Sequence, residues 1–534
     1  MSKKLYHNTE KLISFIFKRE KIRILVWIII ITGITILVAS AYTELFTSQQ
    51  EISTFAQTMR NPAMTAMVGP GYGLDDYTVG AMMAHQMLLF TAIAVGIMSI
   101  FLVVRHTRRD EESGRIEMVR SLPVGRLANL VSTIFVSLII NIFLALIVGL
   151  GLYILRIESI GLEGSLLYGA VLGVTGIFFT ATTALFVQLS ENTQRVIGYS
   201  FGFLGIAYLI RAVGDVSSET LSWFSPLSWI LRTQVYVNNY WGPLLITIGA
   251  AGIIMAAAFY LNSIRDLEAG LVPTKSGSKT ASAFLKSSFG LAFRLQRTAI
   301  ISWMVGLFIL GLSYGSVLGD VDAFLESIDF YKEVFIIAEG FSLAEQFLAT
   351  LMSIISIIST IPALIFIFKL KREEFKNRTE NIYARAVSRT RLMSSYLLIS
   401  FISSLVMLSL AALGLWSAGA VVMEEPLSFK TVFNSALVYL PAIWVMIGLA
   451  ISTIGYIPHR TILTWFYLGY SFFVVYLGDL IQVPNWMVRI SPFGNIPQIP
   501  IEGINYSKIL LLTAIAGGLI ITGFIGYNRR DIEG

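Results

Sequence analysis

Twelve apolar stretches, 18 to 30 residues long and carrying few charges, constrain this chain more than anything else in it. At 1.5 Å per residue such a stretch crosses the roughly 30 Å hydrocarbon core of a bilayer. In lipid every backbone polar group must be satisfied within the segment, so each stretch reads as a helix. They fall at Ile24–Tyr42, Val79–Val104, Leu127–Leu155, Ser165–Leu189, Val196–Val213, Pro243–Asn262, Ala299–Leu318, Leu343–Phe368, Leu392–Val421, Val432–Ile457, Thr461–Gln482 and Ile509–Tyr527. Only 13% of the 534 residues are charged and 55% are hydrophobic, against roughly 25% charged in a soluble domain. A soluble globular fold, disorder, collagen and coiled coil are excluded together. Ala39-Ser40-Ala41 mimics a signal-peptidase site, but the run before it exceeds a signal h-region and reads as a retained span.

The loops set the orientation. Residues 1–23 carry seven Lys and Arg, 105–126 six, 263–298 six and 369–391 eight. With Arg195, Arg460, Arg529 and Arg530, about 31 of the 39 basic residues fall on the side holding both termini, which the positive-inside rule makes cytoplasmic. The acidic segment Asp320, Asp322, Glu326, Asp329, Glu333 and Glu339, with Lys332 as its only base, falls on the other side. The net charge of +6 and pI of about 9.2 are therefore loop charge, not a nucleic-acid surface. The chain has no cysteine, and its four histidines (His7, His85, His106, His459) share no ligand spacing, so no metal site is expected.

The helices divide into two sets of six, and polar landmarks recur between them. Arg108-Arg109-Asp110-Glu111 followed by Arg115, Glu117 and Arg126 returns as Lys371-Arg372-Glu373-Glu374 followed by Arg378, Glu380 and Arg389, at an offset of 263. Ser225-Pro226-Leu227 returns as Ser491-Pro492-Phe493, and Arg265-Asp266-Leu267-Glu268 as Arg530-Asp531-Ile532-Glu533. Six is even, so the halves repeat in the same orientation, and a pseudo-twofold axis along the membrane normal is expected. The chain then divides into an N-terminal amphipathic segment (1–23), a first half (24–262), a cytoplasmic linker with a second connector (263–298) and a second half (299–534).

The block after the second helix of each half carries the most specific chemistry. On one helix Glu111 to Arg115, and Glu374 to Arg378, are i, i+4 acid-to-base pairs of the favourable polarity. A topological anchor needs only Lys and Arg; acids interleaved at matched positions point to a docking surface for a partner present in two copies. No phosphate loop is present: Gly277-Ser278-Lys279-Thr280 is a near miss with the Lys displaced, inside a linker-like stretch, and Gly69-Pro70-Gly71-Tyr72-Gly73 lacks Lys and reads as a rigid turn.

Polar residues inside apolar spans are the candidates for a cargo or ion path. His85-Gln86 and Glu345-Gln346 occupy the early part of the second and eighth helices; Asn141, Gln188, Arg211 and Asp479 lie near helix middles or ends. His85 and Glu345 could serve a proton relay in principle, but the preferred reading puts both at the outer interface, one or two turns from the expected helix ends. The pairs Gly169/Gly173, Gly198/Gly202, Gly311/Gly315 and Gly315/Gly319 have small-xxx-small spacing and suggest close helix packing.

The run Arg105-His106-Thr107-Arg108-Arg109-Asp110-Glu111-Glu112-Ser113-Gly114-Arg115-Ile116-Glu117, then Pro123-Val124-Gly125-Arg126, resembles the permease of the ABC-2 class of exporters. More narrowly it is similar to the fused twelve-helix permeases of the tetronasin and polyketide-antibiotic exporter group. Asn61-Pro62-Ala63 with the 69–73 turn, Gly270-Leu271-Val272-Pro273, Gly290 to Arg297, and Ser491-Pro492-Phe493-Gly494 with Pro497 extend the likeness over nearly the whole chain.

The resemblance implies an all-α integral membrane protein of the bacterial cell membrane. It would have about twelve transmembrane helices in two parallel six-helix repeats and both termini in the cytoplasm. It implies two copies of a separate ATPase subunit that bind ATP and Mg, while this chain binds no cofactor and is not itself an enzyme. It also implies a hydrophobic or amphipathic cargo such as an antibiotic, drug or lipid. The ATPase-coupling role passes to Arg108, Arg109, Asp110, Glu111, Glu112, Gly114, Arg115 and Glu117, and in the second half to Arg372, Glu373, Glu374, Arg378 and Glu380. There Phe375 stands where Glu112 stands and Asn377 replaces Gly114, so equal coupling of the two halves is in question. The N-terminal segment resembles the family's connector helix, and the stretches before helices six and twelve its re-entrant hairpins. The rival reading is a proton-coupled multidrug transporter using His85, Gln86, Glu345 and Gln346 as its path; a third is a sensor or scaffold without flux.

Overall fold

A computed structural model of the chain describes residues 5–46, 48–266, 269–272, 280–320, 341–476 and 484–531. Asp322, Glu326, Asp329, Lys332, Glu333, Glu339, Asp479, Pro273, Gly277, Ser278, Lys279, Leu267, Glu268, Ile532 and Glu533 lie outside the described residues. Among the described residues every regular element is helical. The long helices are α1 (Thr9–Leu45), α2 (Val79–His106), α3 (Ala128–Ile154), α4 (Leu162–Leu189), α5 (Thr193–Ser217), α6 (Gly242–Ile264), α7 (Ser288–Gly315), α8 (Leu343–Glu374), α9 (Arg389–Val422), α10 (Phe429–Tyr456), α11 (Ile462–Tyr476) and α12 (Tyr506–Arg529). Eleven helices among the described residues are long and apolar enough to cross a membrane. The exception is α11: the stretch read as Thr461–Gln482 is described as helix for 15 residues only, and residues 477–483 lie outside the described residues.

Two boundaries differ from the sequence reading. The N-terminal segment is not a separate surface helix, because α1 runs unbroken through it for 37 residues. The physical reason is local: residues 9–32 contain neither Pro nor Gly, so nothing interrupts the i to i−4 ladder between the charged turns and the apolar ones. Likewise α7 begins at Ser288 rather than Ala299, capped by the Ser287 hydroxyl accepting from the Gly290 N–H at 2.9 Å.

The chain forms two compact units, residues 1–277 and 278–534, each with its own apolar core. In the first, α4 packs against α2, α3 and α6, and α1 lies along α3. In the second, α7 packs on α9, α10 on α12, and α8 on α9 and α10. Small residues set the α7–α9 approach: a Cβ on Gly311 would stand 2.1 Å from the Ala411 carbonyl oxygen, so only glycine fits there. Gly169 and Gly315 pack just as closely, Gly319 and Gly173 less so at 2.6 and 3.0 Å, whereas Gly198 and Gly202 face open space, so of the glycine pairs that one does not mark a contact within the chain.

Candidate functional site

The charged block following α2 is where sequence and structure meet most sharply. It is not one helix but two, Arg108–Glu112 and Arg115–Arg120, broken at Gly114, whose φ of 71° is left-handed backbone. The i, i+4 pair Glu111 to Arg115 therefore does not form. The carboxylate of Glu111, buried, accepts instead from Arg265 Nη2 at 2.8 Å and pairs with Arg108 Nη1 at 2.7 Å, while Arg115 reaches back to Asp110 at 3.3 Å.

The second unit repeats the main features of this pattern. The Glu374 to Arg378 pair is also absent, because Asn377 (φ 55°) turns the chain where Gly114 does. Asn is the residue besides Gly that enters this region most readily, so the departure from the first half keeps its backbone shape. Glu374 pairs with Arg530 at 2.6 Å and accepts from the Tyr527 hydroxyl. Arg378 reaches back to Glu373 at 3.3 Å, as Arg115 does to Asp110. Arg126 donates to the Arg265 carbonyl at 2.7 Å, and Arg389 to the Arg530 carbonyl at 2.6 Å. In each unit the block after the second helix, the start of the third and the end of the sixth are thus fastened together. Exchanging the two turn residues tests their equivalence: Gly114→Asn is expected to shift stability by less than about 1 kcal/mol, whereas Gly114→Val should cost about 1–2 kcal/mol from backbone strain, although its Cβ meets nothing. Thermal unfolding in detergent measures both.

Two further anchors hold the first unit's block. Arg108, 1% exposed, donates to the Val187 carbonyl at 2.6 Å and the Ala269 carbonyl at 3.4 Å, placing a cation at the C-terminus of α4, where unpaired carbonyls and the helix dipole favour it. Arg19 of α1 grips Asp110 with two bonds of 2.6 and 3.0 Å, and buried Glu20 pairs with Arg23 and Arg105, with the His106 ring beside it. The basic half of α1 is thereby bolted to the end of α2.

Burial divides the candidate coupling residues. Asp110, Glu111, Glu373 and Glu374 are buried in intramolecular pairs and present no carboxylate to a partner. Arg109, Glu112, Arg115, Glu117, Arg372, Arg378 and Glu380 are exposed. Beside them stand apolar side chains in the open: Met118 (66% exposed) and Leu122 (60%) in the first unit, Phe375 (76%) in the second. Glu112 also accepts from the Thr193 N–H at 3.1 Å, capping α5. An open cleft of about 410 Å³ lies between Arg108, Glu111, Glu112, Gly114, Glu117 and Glu191.

The candidate path residues sit at helix starts in structural roles. The Nε2 of His85 lies 3.0 Å from the Gly69 carbonyl, which can only accept, so Nε2 carries a proton; its Nδ1 faces the Tyr77 hydroxyl at 2.8 Å. Gln86 accepts from the Tyr42 hydroxyl. Glu345 and Ser342 form a reciprocal capping box at the start of α8, with bonds of 3.0 and 3.2 Å, and Gln346 donates to the Phe341 carbonyl at 3.1 Å. The signal for the box, Ser342 three residues before Glu345, was present in the sequence and unread. Also unread were Glu20 and the pairing of the two recurring landmarks Glu111 with Arg265 and Glu374 with Arg530. Among the described residues no three His, Asp or Glu side chains group as a metal site.

A family model described as the C-terminal domain of the multidrug efflux system permease Rv1217c matches residues 13–261 and 285–528. The multidrug efflux system permease protein Rv1217c of Mycobacterium tuberculosis (strain ATCC 25618 / H37Rv) is 32% identical over 533 residues, 99% of this chain and 96% of that protein.

Proposed function

The chain belongs to the multidrug efflux permease family of Rv1217c, and from that premise we propose that it is the permease of an ATP-driven exporter of the ABC-2 class, in the tetronasin and polyketide-antibiotic group. Two copies of a separate ATPase subunit dock on its cytoplasmic face, one at residues 108–122 and one at 371–383. Its twelve helices form two parallel repeats with both termini inside, and its cargo is hydrophobic or amphipathic, in keeping with spans that carry few charges. ATP and Mg belong to the partner.

The observation that carries the reading is the matched fastening of the two blocks. In each unit an exposed tip projects from a base locked to neighbouring helices by buried ion pairs, Glu111 to Arg265 at 2.8 Å and Glu374 to Arg530 at 2.6 Å. A loop serving only topology needs no such base. A push on the tip is delivered to the ends of the second, third and sixth helices at once, which is what rigid-body switching of a helical half requires.

The test is to purify the chain with co-expressed candidate ATPase subunits and measure hydrolysis and efflux in lipid vesicles. The variants are Arg109→Glu with Glu117→Arg, and Arg372→Glu with Glu380→Arg. All four side chains are exposed, so their loss reports on docking rather than folding. Copurification and cargo-stimulated hydrolysis that the variants abolish support the reading. Efflux that needs no ATPase and collapses with an uncoupler overturns it in favour of a proton-coupled transporter.

A further inference from the structure

The chain between α1 and α2 does more than connect them. It forms helices Gln49–Met59 and Pro62–Val68 and then a turn at residues 69–73. Three alternate carbonyls of this segment, at Thr65, Met67 and Gly69, are each held by a side chain from a long helix. Arg211 of α5 donates to Thr65 at 3.1 Å and to Met67 at 3.2 Å. Tyr208, one turn earlier, donates its hydroxyl to Met67 at 3.0 Å, and its ring lies 4.6 Å from the Arg211 guanidinium. His85 of α2 holds Gly69. Arg211 is fully buried and pairs with Asp215 at 3.4 Å; Asp215 in turn accepts from Ser222, whose hydroxyl meets that of Ser228 at 2.5 Å.

A permanent plug needs none of this. Apolar side chains of equal volume hold such a contact as well as a buried ion pair does, and often better. Met64 and Val68 of the same segment already supply apolar packing. What the polar contacts add is reversibility: when the segment lifts, Arg211, Asp215 and the three carbonyls exchange their partners for water, whereas an apolar plug would leave bare surface. Below the segment, between Val68, Ala84, His85, Leu88, Leu231 and Gln234, lies a cavity of about 20 Å³, room for one water.

We propose that residues 61–73 are a strap that closes the first unit where α2 begins and α5 ends, and that Arg211 is the positioning residue that latches it. This rests on the export reading, in which that end faces outward and the strap lifts as cargo leaves.

The chain contains no cysteine, so Met67→Cys gives a unique label. In vesicles containing the permease alone, an impermeant maleimide should react slowly with Met67→Cys. Adding Arg211→Gln should speed the reaction by about tenfold, the effect of losing a hydrogen bond to a charged group, with Arg211→Lys in between and Tyr208→Phe smaller. Equal rates in all four proteins overturn the latch, and Tyr208→Phe, which removes one hydroxyl, keeps the comparison valid if the Arg211 variants misfold. With the ATPase present, Met67→Cys joined to Tyr208→Cys by a cleavable bifunctional thiol reagent should lose efflux while still hydrolysing ATP, and regain efflux on cleavage. Undiminished efflux through the cross-linked chain overturns the strap as a gate. If no variant exports at all, the export reading fails, while the labelling rates still decide the latch.

Discussion

Replacing Glu111 by alanine is expected to destabilise the chain by about 3–5 kcal/mol, among the largest effects a single substitution can have here, because it leaves Arg265 and Arg108 buried with their shared counter-charge gone. Glu374→Ala should cost less in the second unit, because Arg530 is only partly buried and water can take the place of the lost carboxylate. Glu111→Leu combined with Arg265→Met should recover only part of that loss: apolar groups of similar volume replace this pair without a desolvated charge, but Arg108 stays buried and loses the carboxylate at 2.7 Å. Thermal unfolding in detergent, read as a double-mutant cycle, measures the coupling; additive single effects would mean that the two residues do not act as a pair.

Phe375→Ala is expected to leave that stability untouched and to weaken binding of the ATPase subunit at the second block by roughly 30-fold, the 2 kcal/mol typical of an aromatic anchor at an interface centre. The side chain is 76% exposed and touches no core, so folding has little to lose. In the first unit the same position is Glu112, which caps α5 as well as facing solvent. The two exposed tips therefore would offer the proposed ATPase different chemistry, one aromatic and one acidic, on backbones turned alike by Gly114 and Asn377. Titration of purified ATPase against the wild type and Phe375→Ala, followed by surface binding, checks this; an unchanged affinity would place the anchor elsewhere, with Met118 and Leu122 the next residues to test.

How much of this was legible in the sequence depends on the distance over which each interaction acts. The spans were legible because lipid leaves a continuous apolar segment one solution, and the periodicity that reports it is local. The blocks were found because two copies of the same charge pattern stand 263 residues apart. The i, i+4 pairing expected inside them does not form for a physical reason: that rule assumes an unbroken helix, and Gly114 and Asn377 break it. One partner of Glu111, Arg108, stands three residues before it and within reach of a spacing rule; the other, Arg265, lies 154 residues away, beyond any such rule. His85 and Glu345 were legible as polar positions in apolar helices, but a hydrogen bond to the Gly69 carbonyl and a capping box look the same in sequence as a relay.

The unbroken course of α1 sets a length. Its 37 residues span about 55 Å at 1.5 Å each, of which a bilayer core takes roughly 30 Å. On the proposed topology the remaining 25 Å or so is a strut on the cytoplasmic side, tied near its middle to Asp110 by Arg19. Whatever binds the tips of the first unit is held at a stand-off fixed by helix geometry rather than by a slack loop. Inserting two glycines between Lys21 and Ile24 would slacken that ruler without touching either the tips or the spans.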